Sequence, residues 1–262
     1  MLLKNRSKEY NEIFPLMIEE FLDGKSLTSI ANKYKVDRGT LSKNLKSLNF
    51  KIENKQNIAK MNENSFSKID SEESAYWLGF IYADGCVMDD NRIELNLQKR
   101  DYEHLVKFCN FIGYPKENIK YREKTQSYRV SFRNKQIKEN LISKGCVPRK
   151  SKVLTFPTEN QLPKHLVKDF VRGYIDGDGY IGTKDLVKGK ALRLSILGTE
   201  EFLEKLVEEM SFKKLSIRKQ GNIYCVEWSA KYVQNYLHDL YFGSTIFLDR
   251  KYKILVPFFT EM

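Results

Sequence analysis

Two stretches of this chain, Trp77-Leu-Gly-Phe-Ile-Tyr-Ala-Asp-Gly85 and Val171-Arg-Gly-Tyr-Ile-Asp-Gly-Asp-Gly179, are variants of one nine-residue pattern set 94 positions apart. Each reads as an apolar helix that ends on an acid, Asp84 or Asp178, and then a glycine. The C-terminus of a helix carries about half a negative charge from its unpaired carbonyls, so an acid there is unfavourable by up to about 1 kcal/mol. Helix stability therefore does not account for the pair. Gly79 and Ala83 lie one turn apart, as do Gly173 and Gly177, which gives each helix a stripe of small residues on one face. Two such stripes predict helices packed at the short end of the usual range of about 8 to 10 Å, with the acids meeting at one end of the crossing. Gly85 and Gly179 fit left-handed C-terminal caps. Carboxylates that close raise each other's pKa unless a cation lies between them, and an oxygen-preferring divalent ion suits the place.

Reading outward, the two stretches head a longer duplication. Residues 92 to 98 alternate, with Ile93, Leu95 and Leu97 on one face and Arg92, Glu94, Asn96 and Gln98 on the other. That is the period of a half-buried strand. Leu192, Leu194 and Ile196, with Arg193 and Ser195 between them, repeat it. A helix is expected after each strand, capped by Asp101 and by Thr199. Further strands follow in both copies. Ile119 and Tyr121 are expected inward, with Lys120, Arg122 and Lys124 outward. In the second copy Leu215 and Ile217 face inward, with Lys214, Ser216 and Arg218 outward. Ser127, Arg129, Ser131 and Arg133 alternate with Tyr128, Val130 and Phe132, and Tyr224, Val226 and Trp228 keep that inward set with Cys225, Glu227 and Ser229 outward. The fold class is α+β, two tandem αββαββα repeats. The polar faces suit the major groove of a duplex, where cations meet phosphates and Arg, Asn and Gln meet base edges. The residues expected there are Arg92, Asn96, Lys120, Arg122, Lys124, Arg129 and Arg133 in the first repeat, and Arg193, Lys214 and Arg218 in the second.

With its paired acid-glycine helices, the chain resembles the LAGLIDADG homing endonucleases, as a single-chain member with two motifs. The resemblance covers about residues 74 to 262 and divides them into repeats at 74–157 and 158–262. It implies that Asp84 and Asp178 bind the catalytic metal, Mg2+ or Mn2+, in a double-strand DNA endonuclease that serves intron or free-standing gene mobility. It further implies a basic residue near the scissile phosphates, placed at Lys135 and Lys231 just past the last strand of each repeat, and a water-organising role for Gln98. The second repeat lacks that glutamine, having Ile196, Leu197 and Gly198 instead. Arg149-Lys-Ser-Lys-Val-Leu154 and Arg250-Lys-Tyr-Lys-Ile-Leu255 resemble the family's closing segment, with contact to DNA and bracing of the domain both left open. The alternative on the same fold is a non-cleaving DNA-binding regulator or an RNA maturase.

Residues 1–50 lie outside that resemblance. A helix from Tyr10 to Asp23 stopped by Gly24, a second over Ser26–Tyr34 and a third after Asp37 make a helix-turn-helix, with Ala31, Val36, Leu41 and Leu45 as its core. Asp37 would cap the third helix and present Arg38, Thr40, Lys43 and Asn44 to a groove. Lys35 stands where glycine is common, which costs roughly 1–2 kcal/mol if the backbone is left-handed there. Residues 51–73 are polar and read as a linker.

Composition agrees with a polyanionic partner: 45 Lys and Arg against 34 Asp and Glu, a net charge of +11. Four scattered cysteines and three histidines argue against a zinc site, a disulfide framework or histidine-based nuclease chemistry. With no apolar run of membrane length and no secretory apolar core, a soluble, cytoplasmic monomer is expected, with double-stranded DNA as partner and neither membrane nor small-molecule substrate.

Overall fold

The structure, a computed structural model, describes residues 7–50, 61–187, 189–210, 217–229 and 231–259. Lys214, Leu215 and Ser216 therefore lie outside the described residues. The chain divides into two compact units, Met1–Ile58 and Ala59–Met262.

The first unit has three helices, α1 (Lys8–Leu22), α2 (Leu27–Tyr34) and α3 (Arg38–Ser47). Each begins where a side-chain oxygen accepts an otherwise unpaired N–H: Ser7 from Tyr10, Ser26 from Ser29 and Asp37 from Thr40. Tyr10, Met17, Ile30, Ala31, Val36, Leu41 and Leu45 form its core. Lys35 ends α2 at φ 51°, the left-handed conformation expected at that turn.

The second unit starts earlier than its linker-like composition suggests. Of the segment 51–73, residues 61–70 pack on the first repeat: Phe66 is fully buried against Phe111, Asn62 N–H donates to Ile112 O, and Asn140 Nδ2 donates to Glu63 O. A single aromatic among polar residues supplies the anchor, and average polarity hides it.

The first repeat runs α4 (Glu72–Asp84), β1 (Gly85–Val87), β2 (Arg92–Gln98), α5 (Tyr102–Ile112), β3 (Lys120–Arg122), β4 (Ser127–Arg133) and α6 (Lys135–Ser143). The second runs α7 (Val167–Asp178), β5 (Gly179–Asp185), β6 (Lys190–Gly198), α8 (Glu200–Glu209), β7 (Arg218–Gln220), β8 (Ile223–Ser229) and α9 (Lys231–Tyr241), and α10 (Asp249–Phe259) closes it. Each repeat forms a four-stranded antiparallel sheet, ordered β1-β2-β4-β3 and β5-β6-β8-β7. Both share one hydrophobic core, which runs from Phe66 to Leu255. At its centre α4 is buried on every side from Ser74 to Ala83, as befits a helix that is apolar all round.

Four expectations need correction. Gly85 and Gly179 are extended, not left-handed, at φ −73° and −87°. They are glycine because the chain turns straight from helix into strand, where a Cβ would lie 2.7 Å from Ile81 O and 2.5 Å from Ile175 O. Asp101 caps nothing; it sits in a short 3-10 turn and accepts Arg250 Nε at 3.0 Å on both oxygens. Tyr121, expected inward, is 42% exposed, since β3 is an edge strand with no layer over it. The repeats are also offset unequally. Gly85 pairs with Leu95 and Gly179 with Ile196, so an offset of 94 on one strand becomes 101 on the next. The extra residues lengthen the β5–β6 hairpin. Gln98 thus corresponds to Thr199, which caps α8 and donates its hydroxyl to Leu154 O.

Candidate active site

α4 and α7 cross on their small residues. A Cβ on Gly79 would fall 1.9 Å from Phe170 O, one on Gly173 2.0 Å from Tyr76 O, and one on Gly177 2.3 Å from the Ala83 methyl and 3.5 Å from Asp84 N. Backbone therefore meets backbone, and the last turns of both helices lie together. Asp84 and Asp178 are the final residues of these turns, each with a solvent-exposed tip. The protein packed behind the crossing pushes the Asp84 carboxyl up to about 6, with the Asp178 charge adding to the effect, and burial also raises Asp178.

Two lysines oppose those shifts. Lys150 Nζ donates to Ala83 O at 2.8 Å, at the C-terminus of α4. Lys251, in the first turn of α10, donates to Ile175 O at 2.6 Å, to Asp176 O at 2.8 Å and to Gly179 O, at the C-terminus of α7. Both lysines lower the pKa of both acids. They come from the two copied basic segments and serve as cationic caps for the helix ends, neutralising the carbonyls that make an acid unwelcome there. Arg250 also lowers the Asp84 pKa. Sequence had singled out the segments but not these two residues; their signal was the same Arg-Lys-X-Lys pattern in each repeat.

Behind the second acid lies a buried polar chain. Asp176 accepts Tyr76 OH at 2.7 Å, Tyr241 OH at 2.8 Å and Leu248 N–H at 2.7 Å, and burial raises its pKa. Tyr76 keeps its proton and points it at Asp176, so its oxygen is left to accept Nε2–H of His104 at 2.9 Å. His104 Nδ1 is left buried without a partner, and burial holds this imidazole down at about 3. Arg172, 1% exposed, ties α7 to its surroundings through Asp169, Glu72, Leu240 O and Ile246 O.

The other expected site residues lie on the strands or just past them. Lys135 follows Arg133, which pairs with Arg92, whereas Asp84 precedes Gly85, which pairs with Leu95. At about 3.3 Å per residue that puts Lys135 roughly 10 Å or more along the strands from the acid. Its ammonium lies 3.7 Å from Glu139. Lys231 starts α9 at the matching end of its own sheet, past Ser229, which pairs with Arg193. Gln98 is exposed at the end of β2, three residues beyond Leu95.

The sheet cations are on the open faces, as expected. Asn96, Lys120, Arg122, Lys124, Arg133, Arg193 and Arg218 are exposed, and Arg92 and Arg129 partly so. Several are paired: Arg133 with Asp90 at 2.8 Å, Arg129 with Glu94 at 3.3 Å, and Arg193 with Glu227 at 2.7 Å. In the first unit Arg38 and Lys43 are exposed and Thr40 partly so, while Asn44 donates to Tyr10 OH at 2.9 Å and braces α3 on α1. Among the described residues no group of three or more metal-ligating side chains occurs, and no helix is long and apolar enough to cross a membrane.

No protein-family model matches the chain. A curated relative, "Probable translation initiation factor IF-2" of Methanocaldococcus jannaschii, is 28% identical over 145 residues, which is 50% of this chain but only 11% of that protein. Among solved structures, the I-LtrWI LAGLIDADG homing endonuclease bound to target DNA superposes with a TM-score of 0.50 at 13% identity, over 75% of this chain and 90% of that one. The N-terminal LAGLIDADG domain of WhiA follows at 0.46 and 15%, over 73% and 93%. The chain therefore has the LAGLIDADG homing endonuclease fold, as its two motifs implied.

Proposed function

We propose that this chain is a site-specific, divalent-metal-dependent endonuclease of double-stranded DNA, working as a monomer whose two repeats supply the two halves of one site. The observation that carries this reading is the pair Asp84 and Asp178, set side by side at exposed helix ends where each is electrostatically disfavoured. Their donor chemistry fits Mg2+ or Mn2+: hard carboxylate oxygens, with no soft ligand needed, and a mutual repulsion that a divalent charge would relieve. Asp84 and Asp178 would hold the metal, which supplies Lewis-acid activation of water and of the scissile phosphate. Arg92, Lys120, Arg122, Lys124, Arg129 and Arg133 of the first sheet, with Arg193 and Arg218 of the second, bind and orient the duplex through phosphates and base edges. Lys150, half-buried beside Asp84 and donating to Ala83 O, is the cation best placed to meet developing phosphate charge. Its role replaces the one expected of Lys135 and Lys231. The first unit serves as a helix-turn-helix that adds affinity through Arg38 and Lys43. Mobility of an intron or a free-standing gene is the biological setting this chemistry suits.

A second reading, a non-cleaving DNA-binding protein on the same fold, draws on one observation. Lys251 has its ammonium committed to three carbonyls, which leaves the second half-site without the cation Lys150 offers the first. Incubating a random-site plasmid library with protein and magnesium decides between them. A specific linear product is expected, lost by at least about 1,000-fold in Asp84→Asn or Asp178→Asn with binding retained. Binding without cutting by the unaltered protein would establish the second reading.

A further inference from the structure

Each sheet carries one glutamate at the centre of its open face, and the two stand at exchanged positions. Glu94 on β2 faces Ser131 on β4. In the second sheet Ser195 on β6 faces Glu227 on β8. The register is common to both, since Leu95 pairs with Val130 as Ile196 pairs with Val226. Glu94 thus takes the place of Ser195, and Ser131 that of Glu227.

Both carboxylates are fixed in the same way, by one oxygen. Glu94 Oε1 accepts Ser131 Oγ at 2.9 Å and Arg129 Nη1 at 3.3 Å, with Arg92 Nη1 at 3.7 Å. Glu227 Oε2 accepts Arg193 Nη2 at 2.7 Å and Arg218 Nη2 at 3.4 Å. The remaining oxygens, Glu94 Oε2 and Glu227 Oε1, have no protein partner among the described residues. Glu227 opens on a surface depression of about 560 Å³ that Tyr180, Arg193 and Arg218 also line. An acid amid cations weakens attraction for phosphates, so charge alone gives it no use on a face that meets a duplex.

We infer that Glu94 and Glu227 are specificity-determining acceptors, each selecting cytosine at one position in its half of the bound site. This rests on the DNA-binding part of the function proposed above. In the major groove cytosine offers the N4 amino donor with no acceptor beside it on the same base. Adenine places N7 next to its amino group, and guanine and thymine present acceptors that repel a carboxylate. The arginine clamped to each glutamate supplies the matching fork for guanine O6 and N7, so the Arg–Glu pair as a unit suits a C·G pair. Because one glutamate is on the second strand of its sheet and the other on the third, they lie unequally placed about the pseudo-two-fold axis. One strand spacing is about 4.8 Å, against a rise of about 3.4 Å per base pair, so the two positions differ in distance from the centre by about one to two base pairs.

Gel-shift selection by the full chain from a randomised duplex library tests this without requiring cleavage. The unaltered protein should enrich cytosine in two columns at unequal distances from the centre. Glu94→Gln should move one of them toward adenine, whose N6 and N7 match an amide, changing that preference by about 5- to 150-fold, and Glu227→Gln should move only the other. Glu94→Ala and Glu227→Ala, checked for an unchanged melting temperature, should flatten the same columns. Identical columns in all variants, or uniformly tighter binding to every sequence, would make the glutamates mere charge balancers and overturn the inference. If the unaltered protein selects nothing, the DNA-binding reading fails first and takes this one with it.

Discussion

The two motif helices end alike in sequence and unlike in surroundings. At the end of α4, Tyr82 stands where α7 has Asp176, and Lys150 makes one contact with Ala83 O. At the end of α7, Lys251 is 2% exposed, gives its ammonium to three carbonyls, and has the buried Asp176 carboxylate to offset its charge. Burial still holds the Lys251 pKa down to about 8. Tyr82 sends its hydroxyl to Lys144 O instead, so the first half has no such internal anion. Duplication has therefore produced one half whose lysine is a structural cap and another whose lysine is free to do more. A pseudo-two-fold axis in the backbone does not imply equal electrostatics.

The largest test of that difference is to remove each ammonium in turn. Lys251→Met takes the ammonium away from three carbonyls, of which Ile175 O keeps the Gly179 N–H, and removes the cation that offsets the buried Asp176, which should cost about 3 kcal/mol in denaturant unfolding. Lys150→Met should cost under about 1 kcal/mol, since its partner can turn to water. Equal losses would mean the halves are equivalent after all. The helix crossing, by contrast, is symmetric, and Gly79→Ala and Gly173→Ala should each destabilise by about 3 kcal/mol, because each new methyl meets a backbone carbonyl that cannot swing aside. A much milder effect at either glycine would show that one helix can slide.

The smallest expected effect concerns His104, joined through Tyr76 to Asp176 only on the α7 side. Its folded pKa of about 3 lies below the usual 6.5, so the unfolded chain binds the extra proton between those values and stability drains away as pH falls through that window. The loss from this residue should reach about 2 kcal/mol by pH 5. Asp84, raised to about 6, works in the opposite direction between roughly pH 4 and 6, so the measurement is the difference between the unaltered protein and His104→Gln. The variant should lose less stability on acidification. Parallel pH curves would show that His104 is not a source of acid lability.

Much of this was legible in one dimension. The alternation over 92–98, the small-residue stripes and the caps at Asp37 and Thr199 depend on near neighbours and form as read, whereas Ser127 and Cys225, expected on the open faces, are buried at 4% and 6%. The errors have longer-range causes. Asp101 looked like a cap until Arg250, 149 residues on, claimed its carboxylate. Gly85 and Gly179 looked like left-handed caps because the strand that takes over after each helix is not a local property of Asp-Gly. Lys135 and Lys231 start α6 and α9 at the equivalent places read for them, but how far each lies from the acids is set by strand register, which is not written along the chain.

The sequence by itself determined the duplication, the αββαββα order and the two acids, because hydrophobic period and small-residue spacing act within a turn or a strand pair. Only the tertiary structure decided which cations answer those acids and how unequally. Lys150 comes from 67 residues beyond Ala83 and Lys251 from 76 beyond Ile175, and electrostatics depends on distance through space and on burial, neither of which is written along the chain.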